Sequence, residues 1–159
     1  MKSLSKICLM AVIMGLSSFQ ASAQTTKYKC LLQMSNYVGE GAYVAVSLIN
    51  AKGEYEKTLY VMGDDKKWYT SLKEWNKFSS KKADVSAKTG ASVTGGDRSV
   101  TVFEIETSKI DKGYKIRFES AVEDQKYHVA DAEIPLTTAG VTEKVEGKGY
   151  IRYVKLSNI

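Results

Sequence analysis

The chain has 159 residues, with 23 Lys and Arg against 18 Asp and Glu, one His and two Cys. The formal net charge of +5 is small and its lysines are scattered among acids, which argues against nucleic-acid binding. One His and two Cys make a poor ligand set for zinc or copper and none for an iron–sulfur cluster, and no Cys-x-x-Cys-His run offers haem attachment.

Residues 1–23 read as a secretory signal peptide. Lys2 and Lys6 supply a positive start, and Ile7 to Leu16 is an apolar run of about ten residues, too short to span a bilayer comfortably. Ala21-Ser22-Ala23 places small residues where a signal peptidase reads, so cleavage is expected after Ala23, with Gln24 leading the mature chain. Loss of Lys2 and Lys6 takes two from the net charge of +5, leaving +3. Loss of Cys8 leaves Cys30 alone, without an intramolecular disulfide partner. Cys30 lies in an alternating segment and reads as a small core residue. Residues 24–159 suit a single soluble domain, and no later stretch is long and apolar enough to insert in a membrane.

Along that domain, Tyr28, Cys30 and Leu32 alternate with Lys29, Leu31 and Gln33, as in a strand. Tyr43 to Ile49 is a denser apolar run, expected of a central strand. Asn50-Ala51-Lys52-Gly53 turns it back into a strand at Lys57 to Met62. Gly63-Asp64-Asp65 then offers a helix N-cap. Trp68, Leu72 and Trp75 fall at i, i+4 and i+7, predicting one amphipathic helix at about 66–78 with Lys66, Lys73 and Lys77 facing away. Lys81 to Arg98 reads as a long Ser-, Thr-, Gly- and Lys-rich loop, a length often tied to function. Strands resume at Ser99–Glu106, Tyr114–Phe118, Lys126–Ile134 and Tyr150–Leu156, with Pro135 marking a strand end or an edge. About seven short strands and one inserted helix predict a mainly β fold, an antiparallel β-sandwich, with a small half-open barrel as the alternative.

Catalytic and metal-binding residues are not expected. His128 sits in a predicted strand, away from any Gly-x-Ser-x-Gly nucleophile signature, and reads as structural or surface. Asp64-Asp65 and Glu123-Asp124 lack calcium-loop spacing and read as cap and turn residues. Any redox chemistry would need an organic cofactor, and the protein is expected not to be an enzyme.

Several segments taken in order resemble a bacterial family of predicted periplasmic proteins, domain of unknown function two-two-seven-one. They are Tyr43-Val44-Ala45-Val46; Gly53 with Thr58-Leu59; the Trp68/Leu72/Trp75 segment; Thr89-Gly90-Ala91-Ser92 followed by Gly95; and Gly113-Tyr114-x-Ile116-x-Phe118-Glu119. The resemblance spans Tyr43 to Glu119 and implies a periplasmic location and a hook-capping-like, immunoglobulin-like sandwich. The family's loop is similar to the acceptor motif at which FAD:protein FMN transferases attach FMN through a phosphoester to a side-chain hydroxyl. Carried onto this chain, the resemblance makes Ser92 the acceptor, flanked by Thr89, Gly90 and Ala91. Ser92 stands where the pattern has Thr, and Ser86 stands where it has Asp, with Asp84 two residues earlier. Trp68, Trp75 and Tyr69 could then supply an aromatic bed for the isoalloxazine ring, although the tryptophans also read as plugs between helix and sheet. The implied function is electron transfer by covalent FMN, with the FMN transferase and a PepSY-type membrane redox protein as partners. The alternative is a cofactor-free binding or scaffolding module of the cell envelope.

Overall fold

The computed structural model describes residues 23–81 and 88–159. The signal peptide assigned to 1–23 lies outside the described residues except for Ala23, as do Asp84 and Ser86.

Nine strands are described: β1 (Thr25–Met34), β2 (Tyr43–Ile49), β3 (Tyr55–Met62), β4 (Lys88–Gly90), β5 (Arg98–Glu106), β6 (Lys115–Ala121), β7 (His128–Pro135), β8 (Lys144–Glu146) and β9 (Ile151–Asn158). They form a four-stranded sheet ordered β5-β1-β9-β8 and a five-stranded sheet ordered β4-β3-β2-β6-β7. All pairings are antiparallel except β3 with β4. Both sheets have open ends, so the barrel alternative does not hold.

Side-chain alternation decides which face of each strand is buried. Tyr28, Cys30 and Leu32 of β1, Phe103 and Ile105 of β5, and Val154 and Leu156 of β9 point one way. Val44, Val46 and Leu48 of β2, with Ile116 and Phe118 of β6, meet them from the other sheet in one shared core. The β2–β3 hairpin closes on Asn50, whose Oδ1 accepts the Lys52 and Glu54 N–H groups at 2.9 and 3.0 Å. Pro135 ends β7, the edge strand of the larger sheet.

β2 is buried on both faces because a second layer covers the outside of the larger sheet. That layer differs from the single helix expected at 66–78. Asp65 caps a 3-10 turn (Lys66–Ser71) by accepting the Lys67 N–H at 3.1 Å. Leu72, at φ −85° and ψ 71°, breaks the helix, and α1 (Lys73–Ser79) begins after it. A 3-10 turn takes 3.0 residues per turn, so Trp68 leaves the stripe that an α-helix would share with Leu72 and Trp75. Leu72 and Trp75 are fully buried on Ala45, Val61 and Ala121, whereas Trp68 is half-exposed.

The stretch expected as a loop from Lys81 to Arg98 also carries more structure than its composition suggests. β4 lies parallel to β3, with Val61 facing Thr89 and Met62 facing Gly90. Val93 then bridges Ala42 through paired backbone bonds of 2.8 and 3.0 Å.

Candidate functional site

Ser92 lies between these two fixed points. The Gly90 carbonyl accepts the Gly63 N–H at 2.6 Å on one side, and Val93 is held to Ala42 on the other. Ser92 is exposed, and its hydroxyl makes no hydrogen bond with the described residues. It lines an open groove of about 160 Å³ with Glu40, Gly41, Tyr43, Trp68, Ser71 and Glu123. Gly41 makes the groove possible: a Cβ there would sit 2.5 Å from Ser92 Oγ. Lys67 Nζ lies 5.1 Å from the centre of the Trp68 ring and Ser71 donates to the Trp68 carbonyl at 2.6 Å, which fixes this wall. Glu40 and Glu123 make the groove acidic.

The structure therefore brings Ser92 and Trp68 together and leaves Trp75 apart. The Trp75 ring is fully buried, and its indole N–H donates to Thr58 Oγ1 at 3.0 Å. It plugs α1 onto the sheet and presents no face to a ligand. Tyr69 also turns inward, donating to the Gly63 carbonyl at 3.0 Å with its ring 5.1 Å from that of Trp75. Thr89 and Ala91 are exposed and Gly90 is half-buried. Tyr43 is the aromatic wall that sequence reasoning missed. It is the outward residue opening β2, and only its place beside Trp68 distinguishes it from any strand tyrosine.

A second cluster was not anticipated either. Glu119, the last residue of the Gly-Tyr-x-Ile-x-Phe-Glu segment, is fully buried under α1. Tyr127 and Tyr55 donate their hydroxyls to its Oε1 at 2.7 and 3.0 Å, and the Trp75 N–H reaches both carboxylate oxygens at 3.0 Å. Tyr127 Oη in turn accepts the Glu74 N–H at 3.0 Å. Leu72 offers α1 no side-chain cap, so the Glu119 carboxylate of β6 and the phenol of Tyr127, just before β7, take the orphaned helix N–H groups. Burial raises the Glu119 pKa above the ordinary carboxylate range, against the hydrogen bonds from Tyr127, Tyr55 and Trp75. The geometry of the cluster is that of an anchor for α1.

Among the described residues Asp131 is the other fully buried carboxylate. Its Oδ1 accepts the N–H groups of Lys148 and Gly149 at 2.9 and 2.7 Å, and its Oδ2 those of Tyr150 and Ile151 at 2.9 and 3.1 Å. Ser120 adds a hydroxyl. His128 packs edge-on against Tyr150, ring centres 5.1 Å apart. Cys30 is fully buried, and burial pushes its thiol up to about 12, which leaves it unreactive.

Among the described residues no group of three or more His, Cys, Asp or Glu could hold a metal ion, and no helix is long and apolar enough to cross a membrane. No curated protein and no solved structure matches the chain. A family model does, over residues 25–153, which takes in the Ser92 groove, β1 to β8 and the start of β9. The chain belongs to that family, described as Predicted periplasmic protein (DUF2271).

Proposed function

We propose that this is a periplasmic electron carrier whose FMN is attached through a phosphoester to Ser92, after export and cleavage behind Ala23. The observation that carries the reading is an exposed Ser92 hydroxyl, engaged in no hydrogen bond with the described residues, beside the half-exposed Trp68. In the attachment step the Ser92 oxygen attacks the FMN phosphorus of FAD. The phosphoanhydride bond breaks, AMP leaves, and the hydroxyl proton passes to solvent. Thr89 and Ala91, both exposed, with Gly90 between them, give the transferase a small approach to that oxygen. Trp68 and Tyr43 offer the isoalloxazine ring its apolar contacts, and the phosphoester on Ser92 shares the groove with the carboxylates of Glu40 and Glu123. The reduced flavin would then pass electrons to or from a PepSY-type membrane protein.

The strand order favours an immunoglobulin-like sandwich beneath this site. β3-β2-β6-β7 follows the C′-C-F-G order of such folds. β1 and β5 sit as strands B and E, with β9 in the place of strand A.

Intact mass spectrometry of protein from the native host tests the reading. One FMN less one water is expected on the wild type, with flavin fluorescence in a denaturing gel that Ser92→Ala abolishes. An unmodified wild-type mass overturns it. A cofactor-free binding module is the second reading. A groove of about 420 Å³ lined by Tyr114, Ala132, Pro135 and Val145, remote from Ser92, favours it. That reading expects a colourless protein.

A further inference from the structure

The sheet edges are guarded unequally. β8, ending the smaller sheet, is three residues long, and β4, ending the larger, spans three of the described residues. β7 ends in Pro135 and its pairing with β6 shifts register between Phe118 and Ser120. Short strands, prolines and bulges are the usual ways of blunting an edge. β5 has none of these three, and the charged residues exposed along it are Arg98 and Glu104. It is nine residues long, it runs against β1 without a register shift, and it ends the four-stranded sheet. Among the described residues no strand pairs with its other side. Its solvent face presents Arg98, Val100, Val102 and Glu104 in turn, with Val100 55% and Val102 36% exposed.

This order is self-complementary. Placed antiparallel to a second copy of itself, with Thr101 on the two-fold axis, β5 sets Arg98 opposite Glu104 of the second copy and Val100 opposite Val102 of the second copy. The two-fold repeats both pairings. Opposite charges and β-branched pairs in direct cross-strand register stabilise a ladder, and like charges there destabilise it. The two Thr101 residues meet at the axis. Each carries a buried hydroxyl whose partner within its own chain is at most the weak Cys30 thiol. Arg98 Nε donates at 2.5 Å to Oε1 of Gln33, its cross-strand partner on β1. Glu104 lies on the same exposed row, 3.7 Å from Lys27 Nζ.

We propose that β5 is a homodimer interface, at which two copies of this chain pair edge to edge about Thr101 and join their smaller sheets into one. The pairing is closed and two-fold, so it uses up the exposed edge and stops at two copies. It does not depend on the Ser92 reading.

Sedimentation velocity over a concentration series tests it on the mature wild type. A concentration-dependent dimer is expected. Arg98→Glu leaves only acids at the two charged positions of the edge and Glu104→Arg leaves only bases, so each variant alone should raise the dimer dissociation constant about tenfold or more. An equimolar mixture of the two variants should recover the dimer as a heterodimer, because an acid of one variant then faces a base of the other at both ends of the ladder. Circular dichroism of each variant verifies that the strands are retained. A wild type that stays monomeric throughout overturns the proposal. So does a dimer that persists in both single variants, or a mixture that fails to associate.

Discussion

Glu119 and Asp131 sit on neighbouring strands of the same sheet, and both are completely buried, yet they hold different things. Asp131 collects four backbone N–H groups, three from the turn between β8 and β9 and one from the start of β9, and so ties the edge of the larger sheet to the smaller one. Glu119 collects a single backbone N–H, from α1, and two phenols that are themselves set by packing. One carboxylate joins the two sheets that enclose the core. The other pins an outer layer to a sheet that is already built. Burying a charge is tolerable in both places because donors converge on it, but the loss of that charge should propagate differently.

The comparison is tested most strongly at Asp131. Asp131→Ala removes the acceptor of four N–H groups, those of Tyr150 and Ile151 buried and those of Lys148 and Gly149 part-buried, and is expected to cost about 3–5 kcal/mol, seen as a global fall in the urea midpoint. Glu119→Ala should cost less, about 2–3 kcal/mol, and act locally. Amide exchange should accelerate over residues 72–79 while β1 and β9 keep their protection. If exchange rises equally in both sheets, the distinction between core clamp and outer pin is lost.

A smaller effect is expected from pH. The folded pKa of Glu119 is raised, so the native state holds its proton more tightly than the unfolded chain does. Its contribution to stability is therefore lost as pH rises from the ordinary carboxylate range through the raised value, and is flat above it. Glu119→Gln keeps an acceptor for Trp75 and the phenols and removes the titration. The wild-type stability should fall relative to this variant across that interval in urea titrations at successive pH values. Parallel curves would show that folding does not raise the Glu119 pKa. The smallest effect belongs to the groove. Ser92→Ala should shift stability by no more than about 0.5 kcal/mol, because the side chain is exposed and bonded to nothing described. A larger loss in thermal melts would make Ser92 a structural residue.

These anchors also mark where the sequence became silent. Tyr28, Cys30 and Leu32 announce an inward face by alternation alone, and so do Ile116 and Phe118. β4 and β8 are too short for any period to register. The i, i+4, i+7 spacing of Trp68, Leu72 and Trp75 fits one helix as well as a 3-10 turn followed by a helix. Only the break at Leu72 sends Trp68 to the groove and Trp75 to the interior. Glu119 and Asp131 look like ordinary polar strand residues, because most of their donors lie far along the chain. Ser92 could be singled out by its small neighbours and its resemblance to an acceptor loop. Tyr43, Glu40 and Glu123 join it only through folding.

The position of β1 has a kinetic consequence. Cys30 faces Thr101 on one side and Leu156 on the other, so the first strand finds its flanking partners late in the sequence. A chain made N-terminus first must carry β1 unpaired until β5 emerges, and open along one side until β9 is synthesised. Closing such distant segments is slow, and apolar strands are exposed while they wait. Any cell that makes this protein has to keep Tyr28 to Leu32 from pairing elsewhere until the last strand arrives.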